Sequence, residues 1–154
     1  MKTVLKDRYS ISNLIRSKLG LLRDKSQTDI DEIDLWLNAT ISQTQEGSPL
    51  LKDRCEICDS KEDRKNLELH HIAGRKHDFR TVTACKKCHS HLSKEQGLRD
   101  NRWFQQASVE LQDAFLLQGL RDMLILKSLC TNNSHYRELA ESLVNETAQL
   151  LRGD

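Results

Sequence analysis

The chain has 154 residues, a length that suits one domain with a modest core and leaves little room for two. Charged residues make up 31% and aromatics 5%, proline occurs once, and mean hydropathy is −0.65, so the expectation is a wet surface around a leucine- and isoleucine-rich, mostly helical core. The net charge of +1 says nothing by itself about nucleic acid. The longest apolar-rich stretch, 115–129, is interrupted by Gln118, Arg121, Asp122 and Lys127 and is too short to span a bilayer, which excludes a membrane anchor there. Behind Met1 come Lys2, Lys6, Asp7 and Arg8 with no apolar run, so no secretory signal is expected and the expected compartment is the cytoplasm.

Residues 10–25 place Ile11, Leu14, Ile15, Leu19 and Leu22 at helical spacing behind Ser10 as an N-cap. Thr28 then caps a second helix with Asp29, Asp31 and Glu32 in its first turn, where the helix dipole favours negative charge. Ile30, Ile33, Leu37 and Ile41 form its apolar stripe, broadened by Trp36, and Gly47-Ser48-Pro49 ends it. Residues 1–49 thus read as a helical hairpin packed on the core of the domain.

Residues 50–99 carry the chemistry. Four of the five cysteines and five of the six histidines fall between positions 55 and 92. Cys55-x-x-Cys58 and Cys85-x-x-Cys88 repeat one knuckle spacing across 26 intervening residues, and in a reducing compartment such pairs read as thiolate ligands for zinc. Leu67 to Ile72 reads as a half-buried strand that alternates Leu67, Leu69 and His71 against Glu68, His70 and Ile72. Gly74 to Phe79 is a turn, Thr81 to Ala84 a second strand rich in β-branched residues, and Lys86 to about Gln96 a helix. Basic residues concentrate here: Arg75, Lys76, Arg80, Lys86, Lys87 and Lys94 stand against the single acidic Asp78 between positions 75 and 94, a run suited to phosphate contacts or simply to a solvated face.

From Asp100 as N-cap, a long helix is expected through Cys130, apolar on more than one side and therefore either centrally buried or paired with a second chain as a homodimer through residues 103–130. Ser134 caps a last amphipathic helix over 135–151. These helices, 100–154, complete one compact unit. Cys130 is expected to be a small buried apolar residue, His77 and His91 to be exposed or phosphate-contacting, and His135 to have no special role.

Cys55, Cys58, His71 and His77 also fit the spacing of a two-cysteine, two-histidine finger. That parse places Gly74 inside a helix and leaves Cys85 and Cys88 without a metal. Four cysteines around one structural zinc is the simpler arrangement, and it frees the histidines.

The Cys55-x-x-Cys58 knuckle, the Leu69-His70-His71-Ile72 strand and the Cys85-x-x-Cys88-His89 junction resemble the HNH endonuclease family in its zinc-bearing, treble-clef form. The resemblance covers about 40 residues and implies an α+β fold, mostly helical, with a ββα-metal core flanked by helices. It implies a divalent cation, Mg²⁺ or another, held by His70 and His89, with His71 as the general base in hydrolysis of nucleic acid, DNA being the expected substrate. Arg75, Lys76, Arg80, Lys86 and Lys87 would then contact the phosphate backbone. No Asn occurs between His71 and Cys88, where the family's middle Asn orients the base, so His77 or Arg80 would have to substitute. The position four after His89, a histidine in some relatives, is Ser93. A zinc module that binds nucleic acid or a protein without catalysis, and a purely structural adaptor, are the competing readings.

Overall fold

A computed structural model describes residues 8–22, 27–45 and 50–153. The described chain runs α1 (Arg8–Leu19), α2 (Gln27–Ile41), β1 (Leu67–His71), β2 (Thr81–Cys85), α3 (Lys86–Gly97), α4 (Val109–Thr131), α5 (Ser134–Ser142) and α6 (Val144–Arg152). It is mostly helical with one small antiparallel sheet, hence α+β. No helix among the described residues is long and apolar enough to cross a membrane.

Both N-terminal helices exist, with altered ends. Ser10 lies inside α1 and Thr28 inside α2, so neither is the N-cap expected of it. Ile11, Ile15, Leu19, Ile33, Leu37 and Ile41 are buried as their spacing demands. The helix ends come early, α1 at Leu19 and α2 at Ile41, and Gly47-Ser48-Pro49 lies outside the described residues.

In the sheet, Leu67 pairs with Cys85, His70 with Val82 and His71 with Thr81. The expected alternation is blurred: Leu67, His70 and Ile72 are buried while Glu68, Leu69 and His71 are only half-buried, because structure covers both faces of the hairpin. The outer edge of β2 is closed by Gln43 and Glu56. The Gln43 amide donates to Thr81 O at 2.7 Å and its carbonyl accepts from Thr81 N at 3.1 Å. Glu56 accepts from Thr83 N at 2.6 Å, and its own backbone N donates to Thr83 O at 2.8 Å. A two-stranded sheet is marginal alone, so these edge contacts and α3 hold it.

The long C-terminal helix starts at Val109, well past its expected cap. Asp100 instead caps a 3₁₀ turn, Asn101–Phe104, and the Ser108 side chain accepts from Leu111 N to begin α4. The turn anchors itself upstream, where Trp103 Nε1 donates to Ala73 O at 2.9 Å. Ala114, Phe115, Leu116, Leu117, Leu120, Met123 and Leu124 are buried, and α3, α5 and α6 pack around α4. Central burial therefore accounts for the apolar faces of its middle turns, while Leu129 near its end is exposed. Asn132 turns the chain through φ 54°, and Asn133, not Ser134, caps α5 by accepting from His135 N. The single last helix is divided at Leu143, where Ser142 Oγ donates to Leu139 O at 2.6 Å and competes with the helical ladder.

α4 lies against the exit of β1 at a glycine. A Cβ on Gly119 would sit 1.9 Å from the Ile72 carbonyl oxygen, a backbone atom that cannot swing aside. Gly119→Ala is accordingly expected to destabilise the protein by at least about 3 kcal/mol, the upper end of the usual overpacking cost. The check is the urea midpoint at unchanged slope, and a wild-type midpoint would contradict this packing.

Candidate metal centre and histidine face

The two cysteine pairs are local structures brought together by the sheet. Cys55 and Cys58 sit on a tight turn closed by Cys55 N donating to Ser60 O at 3.0 Å, with Asp59 in the left-handed region at φ 61°. Cys58 N donates to Cys55 Sγ at 3.5 Å, orienting that sulfur inward. Cys85 ends β2 and Cys88 lies in the first turn of α3, so the strand-to-helix junction is the second knuckle. The Glu56–Thr83 bonds lay the first knuckle against β2 beside it.

All four sulfurs fall within 4.8 Å of one another, and none is in a disulfide. Cys58 and Cys85 Sγ are 3.8 Å apart. A tetrahedral zinc with bonds of about 2.3 Å separates its sulfurs by roughly 3.8 Å. The cluster is positioned to hold a metal ion and is compatible with structural zinc. Its electrostatics call for a cation: hydrogen bonding from Cys88 holds the Cys55 thiol down to about 4, while the same bond and burial push Cys88 upward, and burial raises Cys85. Without a cation, one thiolate blocks ionisation of its neighbours. Cys130 is exposed on the last turn of α4, not buried as expected, because that turn extends past the packed part of the helix.

The histidines divide between two faces of β1. His70 is buried and meets His89 of α3 edge to face, ring centres 5.4 Å apart. Burial, reinforced by His89, His71 and Arg99, holds the His70 imidazole down to about 3, so it is neutral at pH 7. Glu68, two residues back on the same strand face, contacts His89 Nδ1 with its carboxylate. That leaves Nε2 as the His89 nitrogen outside this contact. Glu68 was not singled out by sequence, although the i,i+2 spacing from His70 was there to be read.

His71 is on the other face. Its ring borders a 540 Å³ cavity also lined by Gln43, Lys52, Glu56, Arg75, Phe79 and Thr83. Burial and then Arg75 lower its pKa from the ordinary histidine value, with Asp78 acting in the opposite direction. The ring has no hydrogen-bond partner among the described residues.

Two expected surface residues are inside. Arg80 is 2% exposed, its Nε donating to Ile41 O at 2.9 Å and its Nη1 to Asp78 Oδ2 at 3.2 Å, so it fastens the hairpin loop to the end of α2 and cannot reach a nucleic-acid backbone. His77 is also buried: its Nε2 donates to Trp103 O at 2.7 Å and its ring lies 4.8 Å from Phe115. It secures the 3₁₀ turn, which engages it away from the role of a substitute for the middle Asn. Arg75, Lys76, Lys86 and Lys87 are exposed, with Lys76 Nζ donating to Phe104 O. His91 is exposed, and His135 faces Asp29.

Among the described residues the four cysteines are the only cluster of three or more metal-ligating side chains. Compared with protein-family models, with curated proteins and with solved structures, the chain matches none.

Proposed function

We propose that this chain is a metal-dependent endonuclease of the HNH type, with a treble-clef, ββα-metal core around a structural zinc at Cys55, Cys58, Cys85 and Cys88. The observation that carries the reading is the juxtaposition of His70 and His89 at 5.4 Å on one side of β1 with the unpartnered His71 ring next in sequence. Two imidazoles that share one ion through bonds of about 2.1 Å bring their ring centres to roughly 5 Å. His70 and His89 hold the divalent cation, and Glu68 fixes the tautomer of His89 from behind.

When bound, a divalent cation supplies Lewis-acid charge to the scissile phosphate and the leaving oxygen. His71, neutral near pH 7, accepts the proton of the attacking water. Exposed Arg75, Lys76, Lys86 and Lys87 position the backbone without reading bases. DNA is the substrate we propose, with 5′-phosphate and 3′-hydroxyl products.

The decisive property is a second metal site apart from the cysteines. Zinc-loaded protein is expected to bind one further Mn²⁺, seen by its electron paramagnetic resonance signal. His70→Ala and His89→Ala each abolish that binding with zinc retained, and Glu68→Ala weakens it by roughly 10- to 100-fold. A wild type that takes up zinc and no Mn²⁺ contradicts the nuclease. That result favours a non-enzymatic zinc module binding nucleic acid or protein, the reading for which the cysteines alone suffice.

A further inference from the structure

The His71 ring has no partner of its own, so its position is inherited from the peptide units at the exit of β1. Each carbonyl there is held from outside the strand. Ala73 O accepts from Trp103 Nε1 at 2.9 Å. His71 O accepts from Gly74 N at 3.1 Å, and His71 O and Ile72 O both accept from one side-chain group, the Gln96 amide, at 2.9 and 3.2 Å. Gln96 belongs to α3, seven residues after His89, and seven residues are two helical turns, so the two side chains leave the helix on the same side.

We infer that Gln96 is a positioning residue that sets His71 relative to His89; the inference rests on the nuclease reading for its consequence in catalysis. One end of α3 carries His89 against His70, and two turns on the same helix grips the backbone of the adjacent His71. The amide thereby fixes the separation between the cation site and the proton acceptor, which lie on different secondary-structure elements. The chemistry demands a donor. A carboxylate of the same shape would set an acceptor against two acceptors, and a thioether would leave both carbonyls without that bond.

The test compares Gln96→Met and Gln96→Glu with wild type in two readouts. In plasmid cleavage both variants are expected to lose about 100-fold in kcat with KM unchanged, the scale of a misplacement near 1 Å. By NMR, the His71 ring is expected to shift and to lose order while the signals of His70 and His89 stay where they were. Zinc content and melting temperature report whether the variants are folded. Wild-type kcat in Gln96→Met, an unmoved His71 ring, or a loss that merely follows zinc release in both variants would overturn the inference. If the wild type itself does not cleave, the nuclease reading fails, and the NMR arm still decides whether Gln96 positions His71.

Discussion

Cys58→Ser is expected to lose its metal and, with it, the ordered structure of residues 50–99. The first knuckle is attached to the rest of the protein by few contacts: the Glu56–Thr83 bonds, the Lys127 ammonium donating to Glu56 O, the buried Ile57, and the four-sulfur cluster itself. Structural zinc contributes on the order of 10–16 kcal/mol of apparent affinity in small zinc modules, against a total stability of about 5–15 kcal/mol for an ordinary domain. Removing one thiolate leaves three sulfurs unable to close the tetrahedron. Zinc content is expected to fall from one per chain toward zero, and the amide signals of β1, β2 and the first turn of α3 to lose dispersion. Helical circular dichroism should persist in part, because α4, α5 and α6 pack on one another. A Cys58→Ser protein with full zinc and a wild-type melting temperature would contradict the metal centre as described.

His71→Ala is expected to do the opposite, keeping the fold and losing the proposed cleavage. The ring is half-buried, has no hydrogen-bond partner among the described residues and borders a cavity, so truncation removes little packing. A positioned general base contributes roughly 10²- to 10⁴-fold in rate, and cleavage should fall by that factor at unchanged zinc and Mn²⁺ binding. The acid limb of the pH profile carries a second signature. A base must be unprotonated to act, so the rate is constant above its pKa and falls about tenfold per pH unit below it. Burial and Arg75 depress His71, which puts that break below the ordinary histidine value of about 6.5.

The parts legible in the sequence were those set by local spacing. Two residues between cysteines dictate a knuckle whatever surrounds it, and apolar residues three and four apart dictated the buried stripes of α1, α2 and α4. The caps were less legible, because Asp100 and Ser108 are equally good acceptors and the choice between them was made by Trp103, whose ring is engaged with Ala73 and Gly74 far upstream. Basic residues were the least legible. Arg80 looked like a phosphate ligand beside Lys76, yet its destination is a carbonyl 39 residues earlier in the chain. Lys127 is similar: it donates to Glu56 O at 2.6 Å and lies 4.5 Å over the Trp36 ring, and burial lowers its pKa. Glu68 and Gln96 were missed for a related reason. Their partners lie on another element of the fold, and neither residue type marks itself as functional in a sequence.

The proposed chemistry turns on His71 serving as a base beside a cation held by His70 and His89. Cleavage of supercoiled plasmid by wild type and His71→Ala at equal zinc content, in Mg²⁺, in Mn²⁺ and in EDTA, probes that pairing without intermediates. Wild type is expected to nick or cut only with the added cation, and His71→Ala to do neither. Equal cutting by the two proteins, or none by a folded, zinc-loaded wild type in either cation, would contradict the assignment.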